Sequence, residues 1–166
     1  MYQKKLKALT YSAMVASLYI LLTYISHILG LANGTIQLRL SEALAILPHF
    51  MPSAISGLFV GCIISNLLTG CAVWDILFGS IATLIGAVFC YLLRKRSKWL
   101  SVVPNILSNS FIVPFILIKV YGLEQSYLIH FISIFIGELI SCGALGMILY
   151  LLLEKNKNMI FRNIKK

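Results

Sequence analysis

The chain is expected to be an all-α integral membrane protein of six transmembrane helices, with both termini in the cytoplasm. Three observations lead there. Of its 166 residues, 60% are hydrophobic and only 11% are charged, whereas a soluble domain has about half apolar residues and roughly a quarter charged ones. Uncharged apolar runs recur at about the length a bilayer demands. Basic residues cluster in alternate connections between those runs, as cytoplasmic loops do. A single membrane domain over residues 1–166 accounts for the whole length.

The expected spans are residues 8–30, 38–50, 53–69, 73–93, 100–120 and 127–153. The first follows Lys4, Lys5 and Lys7, and the Gly30-Leu31-Ala32 step after it resembles a signal-peptide cleavage site. Its apolar core exceeds a typical signal core and carries Tyr11, Thr23 and His27, so it reads as a retained helix. The second has a short apolar part ending at Pro48. Alone it would be re-entrant or interfacial; beside five others it reads as a short or tilted helix. The third is short but continuous and holds Gly57 and Gly61 four residues apart. The fourth, fifth and sixth each reach about 20 residues or more.

Orientation follows from the cations. With the first residue inside and sides alternating, twelve of the fourteen lysines and arginines face the cytoplasm, and only Arg39 and Lys119 lie outside. Five spans would place one terminal basic cluster outside, against the positive-inside rule. The net charge of +9 therefore reads as topology signals facing anionic lipid, and no nucleic-acid partner is expected. Cys62, Cys71, Cys90 and Cys142 form no C-x-x-C pair and read as small apolar fillers.

The polar residues within the spans carry the functional signal. The chain has five acids, and Glu138 lies deep in the sixth span, where a charge costs about 2.5–3.5 kcal/mol by insertion scales. In the expected topology Arg39 and Glu42 open the second span from outside, and Trp74 and Asp75 open the fourth. Asn66 lies in the outer third of the third span, His27 closes the first, and His130 is one turn into the sixth. Ser101, Asn105, Ser108 and Asn109 share a stripe on the fifth. A cavity entered from outside and ending at Glu138 would use this set. Structural roles stand beside that reading: pairing of Arg39 with Glu42, helix capping by Asp75, bridging of helices by Asn105 and Asn109, and interfacial positions for the histidines.

Other chemistries find less support. The three histidines fall on different sides of the membrane without metal-ligand spacing, so no metal site is expected. No nucleophile elbow or phosphate-binding loop occurs, so the chain reads as no enzyme, with no cofactor, and any ATP-driven motor lies in another chain. Small residues at four-residue spacing on the first span, Ser12/Ala16 and Ala13/Ser17, permit close approach of a helix from the same bundle or from a partner.

The run from Ile36 to Leu44 through Gln37, Arg39 and Glu42, the run Gly57–Asn66 and the run Trp74–Leu84 resemble the QueT family. The resemblance extends over nearly the whole chain. It implies a substrate-binding (S) component of an energy-coupling factor (ECF) transporter for a queuosine precursor in a bacterial plasma membrane. Such a component binds its nutrient on the extracellular side and works with a transmembrane coupling (T) protein and two cytoplasmic ATPases. The family's A-x-x-x-A docking surface is matched most nearly by Ser12/Ala16 and Ala13/Ser17, each with one alanine replaced by serine. The register facing the partner stays open.

The candidate ligand site is Gln37, Arg39, Glu42, Asn66, Trp74, Asp75, Asn109, His130 and Glu138. Three carboxylates against one guanidinium favour a cationic ligand over anionic vitamins. Queuine and the aminomethyl precursor are 7-deazaguanines bearing a protonatable amine. One carboxylate, with Glu138 the foremost candidate, would accept from the guanine-type N–H edge, and another would pair the ammonium. Trp74, Phe78 or Tyr127 would stack on the base. A thiamine-type S component satisfies the same charge argument, and a stand-alone proton-coupled carrier with Glu138 as its proton site also stays open.

The charge split yields a direct topology test. With the native cysteines replaced, a cysteine introduced at Ser97 is expected to resist impermeant thiol reagents in intact cells and to react after permeabilisation. Labelling from outside would reverse the orientation.

Overall fold

The computed structural model describes residues 2–31, 36–122, 124 and 126–160. In these residues the chain forms α1 (Tyr2–Ile28), a 3₁₀ helix (Leu40–His49), α2 (Ser53–Leu68), α3 (Val73–Leu93), α4 (Lys98–Lys119), α5 (Tyr127–Lys155) and the short α6 (Lys157–Ile160). No strand occurs among them. The four helices α1, α3, α4 and α5 are long and apolar enough to cross a membrane. Helix α2, at 16 residues, reaches about 24 Å. The six expected spans thus correspond to six helices, with ends shifted by a few residues. The stretch 32–35, just after the first expected span, lies outside the described residues.

The second element differs most from a membrane-crossing helix. Ten residues of 3₁₀ helix rise about 20 Å, less than the roughly 30 Å hydrocarbon core. Seven of the ten are buried, from Ser41 and Glu42 to Pro48. Leu44 and Leu47 join Val15, Tyr19, Ala54 and Leu58 in one apolar cluster, while Ala45 and Ile46 join Cys90, Val102, Ile106 and Met147 in another. The short helix therefore runs through the middle of the bundle and separates two cores. Ser26 on α1 fixes its start, since its hydroxyl accepts from the Leu40 amide at 2.9 Å.

Small residues set the helix spacings. Gly57 and Gly61 face α1, where an added Cβ would meet the Ser12 carbonyl at 2.6 Å and Tyr19 Cβ at 2.9 Å. Gly86 on α3 lies against Asn105 of α4, so those helices also approach at glycine distance. The closest approach involves Gly137 on α5. A Cβ there would overlap the Gln37 carbonyl oxygen, so the extended segment ahead of the 3₁₀ helix lies directly on α5. Immediately beyond Glu138, α5 widens into a π turn over Leu139–Leu145 before resuming at Gly146.

Gly137→Ala forces main chain against main chain, which no rotamer change relieves. It should lower stability by about 1–3 kcal/mol, read as a lowered midpoint in thermal unfolding of the detergent-solubilised protein. Gly143→Ala is the control, since its added Cβ finds no atom nearer than 3.9 Å, and it should be near neutral.

Candidate functional site

The polar residues of α1, the 3₁₀ helix, α4 and α5 converge on one buried carboxylate, Glu42, which is 1% exposed. Tyr19 on α1 donates its hydroxyl to Glu42 Oε1 at 2.5 Å, and Asn105 on α4 donates to Oε2 at 2.8 Å. Asn109, one turn further along α4, donates to Glu42 Oε2 at 3.5 Å and to Glu138 Oε1 at 3.0 Å. One side-chain amide thus bridges two buried carboxylates. Asn105 and Asn109 adopt the bridging role between helices that their polar stripe allowed. Ser101 of the same stripe contacts His49 Nδ1 at 3.0 Å, and Ser108 donates to the Ala82 carbonyl on α3.

Arg39 and Glu42 do not pair. Among the described residues the ion pair within 4.0 Å is the exposed Lys157–Glu154 contact. Arg39 instead lies in the field of Asp75 and Glu42, and Glu138 in that of Glu42 and Arg39. The five N–H donors of Arg39 are therefore not held by a carboxylate.

Two cavities share Arg39 in their walls. The larger, a mouth chamber of about 380 Å³, is bounded by Thr23 and His27 of α1, Gln37, Arg39, and Asn66 of α2. The turn Thr69-Gly70-Cys71, Asp75 of α3, and Val113, Leu117 and Tyr121 complete it. Gly70 has φ +74°, which suits glycine and lets this turn close over the end of α2. The smaller is a niche of about 10 Å³, bounded by Gln37, Arg39, Glu42, Asn109, Val113, Ile134 and Glu138. Gln37, Arg39 and Val113 belong to both walls.

Each cavity has one incompletely bonded carboxylate. Asp75 Oδ2 accepts from the Tyr121 hydroxyl at 3.2 Å, which in turn accepts from the Ala72 amide at 3.0 Å. Asp75 Oδ1 is buried with no hydrogen-bond partner among the described residues, and so is Glu138 Oε2. An unmet buried acceptor costs about 1–3 kcal/mol and more when charged. Burial, with the charge of Asp75 adding to it, raises the Tyr121 phenol above its ordinary range, so it stays a donor at neutral pH. Tyr121 was not among the residues singled out in the sequence; its place at the end of α4, facing the start of α3 across the bundle, was the available signal. Thr23, Thr69 and Cys71 were likewise not selected as wall residues.

The other expected residues distribute as follows. Gln37, Arg39, Glu42, Asn66, Asp75, Asn109 and Glu138 gather around the two cavities. Trp74 is 57% exposed and stands with Phe78, Phe115 and Lys119 on the outer surface of α3 and α4. Tyr127 is also on the periphery, donating to the Phe111 carbonyl and stacked on Phe131. The rings in the chamber wall are those of Tyr121 and His27, not any of those three. His130 is buried with Nε2 unpartnered but lines neither cavity.

The two small-residue registers of α1 also separate. Ala16 is buried against Gly61, and the Ser12 hydroxyl contacts that of Ser56 at 2.9 Å, so this register packs within the bundle. Ala13 and Ser17 are exposed.

Residues 9–155 match the family model described as QueT transporter. The chain belongs to that family. No curated protein and no solved structure matches it. Membership of a QueT transporter family, together with the four long apolar helices, makes this a multi-pass membrane transport protein. A family of transporters accounts for a polar cavity inside an apolar bundle, where intramembrane charges mark substrate pathways.

Tyr19→Phe removes the shortest bond to Glu42 and leaves a buried carboxylate oxygen unmet. It should cost roughly 1.5–3 kcal/mol, seen in denaturant or thermal unfolding, whereas Tyr121→Phe, with Tyr121 43% exposed, should cost less.

Proposed function

We propose that this QueT family chain is the S component of an ECF-type importer, capturing a 7-deazaguanine queuosine precursor on the extracellular side. Transport would be powered by a T protein and two cytoplasmic ATPases. The observation that carries the reading is the pair of unpartnered carboxylate oxygens, Asp75 Oδ1 and Glu138 Oε2, in two cavities that share Arg39, itself free of any carboxylate within 4.0 Å among the described residues. A ligand with donors at two ends and an acceptor between them completes that set. A 7-deazaguanine with an aminomethyl arm has this arrangement, since its amidine-type N–H edge, its carbonyl and its cationic arm follow one another around the ring. The mouth chamber, about 380 Å³, lies within the usual range for small-molecule pockets. The sum of charges also supports a cation. Asp75, Glu42 and Glu138 outnumber Arg39.

Docking to the T protein is assigned to the Ala13/Ser17 register of α1, because Ser12 and Ala16 are engaged with α2. Twelve of the fourteen basic residues on one side support cytoplasmic termini, with the mouth chamber then facing outward.

One experiment separates capture from transport. Uptake of radiolabelled 7-aminomethyl-7-deazaguanine should cease when the T protein and ATPases are deleted, and also in Ala13→Trp with those partners present. The purified Ala13→Trp chain should keep its ligand-induced rise in unfolding temperature, which a ligand binding only the folded form produces. Full uptake without partners would instead mark a self-sufficient carrier.

A further inference from the structure

The sizes of the two cavities differ so much that they dictate which way round such a ligand enters. The orientation rests on the deazaguanine reading above. The niche between Glu42 and Glu138, about 10 Å³, holds one water-sized group at most. A fused bicyclic ring does not fit there, and the mouth chamber of about 380 Å³ is the space that takes it. What the niche offers is net negative charge: two carboxylates joined through Asn109 against the one guanidinium of Arg39, with Glu138 Oε2 unpartnered among the described residues and Glu138 only 6% exposed. No cation lies within 4.0 Å of either carboxylate among the described residues.

We infer that the niche is a terminal-ammonium site, receiving the primary amine of a short ligand arm, while the ring lies in the mouth chamber with its N–H edge on Asp75 and its carbonyl on Arg39. The order of groups around the ligand agrees with the order of walls. In 7-aminomethyl-7-deazaguanine the arm and the carbonyl are neighbours on one side of the ring, and the N–H edge follows the carbonyl. In the protein Glu138 belongs to the niche, Arg39 to both walls and Asp75 to the chamber. The opposite orientation preserves the order but would put the ring edge, with its two adjacent N–H donors, into a space the size of one water. This reverses the roles that the sequence suggested for Glu138 and the second carboxylate.

A consequence distinguishes the queuosine precursors. An amine carrying a bulky substituent, as in queuine, cannot seat its nitrogen in a niche of that size, so the preferred substrate class is the unsubstituted primary amine. Charge matters as well as bulk. A 7-cyano arm would bring no cation to the carboxylates.

The test is calorimetric titration of the purified full-length chain with three compounds. These are 7-aminomethyl-7-deazaguanine, its N-isopropyl derivative, which keeps the charge and adds bulk, and the neutral 7-cyano analogue. In the wild type the primary amine should bind tightest, with each of the others weaker by roughly 10- to 150-fold, the value of one charge-assisted hydrogen bond. Glu138→Gln should reduce the preference for amine over nitrile to a few-fold, and Asp75→Asn should weaken both ligands alike and leave that preference intact. The inference is overturned if the N-isopropyl compound binds wild type as well as its parent, or if Asp75→Asn is the variant that abolishes the preference. Equal binding of amine and nitrile by wild type would likewise overturn it and give the niche to a water. If none of the three binds wild type, the deazaguanine reading itself fails, and the orientation falls with it.

Discussion

The arrangement of the bundle depends on satisfying one carboxylate away from water. Glu42 sits on the central 3₁₀ helix, and its oxygens accept from Tyr19 on α1 and from Asn105 and Asn109 on α4. Inside an apolar bundle these bonds are not exchangeable for bonds to solvent, so each donor is obliged to be where it is. Through Asn109 the same requirement extends to Glu138 and hence to α5. Three long helices are thereby positioned by one short one that never needs to face lipid. Both oxygens of Glu42 are bonded, whereas Asp75 and Glu138 each keep an oxygen in reserve. That contrast divides the acids into one that builds the site and two whose valence is open to a ligand.

Much of the fold was legible because membrane helices are announced by length and composition. The limits of α2 and α3 lie within a residue of the sequence expectation, since Pro52 and the Thr69–Ala72 turn interrupt the apolar runs. The character of the second element was less legible. Its stretch Ala43–Leu47 is as apolar as a lipid-facing helix, and nothing in that stretch distinguishes burial among protein side chains from burial among acyl chains. Gly137 was similarly opaque, because a glycine in an apolar helix does not reveal whose backbone lies on it.

The site shows where further reading was possible. Trp74 and Asp75 are consecutive in α3, and consecutive helical residues point about 100° apart. Both could not enter the same chamber, and the cost of a lipid-facing carboxylate favours Asp75 inside and Trp74 outside. The structure has this arrangement. The division between Ser12/Ala16 and Ala13/Ser17 was not decidable in that way, because both registers are small and uncharged. It required knowing that the Gly57 and Gly61 face of α2 lies opposite. A close intramolecular contact thus leaves the alternate register of the same helix as the one available to another molecule.

The π turn of α5 carries a consequence for how this helix can vary. A π turn accommodates one residue more than an α-helical turn would, and so offsets the angular phase of everything on one side relative to the other. Here the offset begins directly after Glu138 and ends at Gly146, leaving the acid on the N-terminal segment and the core residue Met147 on the C-terminal one. The helix consequently behaves as two rods joined at an adjustable collar. Deleting one residue from Leu139–Leu145 would let the collar close into regular α-helix with the two rods still in phase, whereas regularising it at full length would swing one rod by about 100° against the other. Either Glu138 would leave the niche or Met147 would leave the core. The π geometry of this seven-residue segment, more than its residue count, therefore keeps both side chains in place.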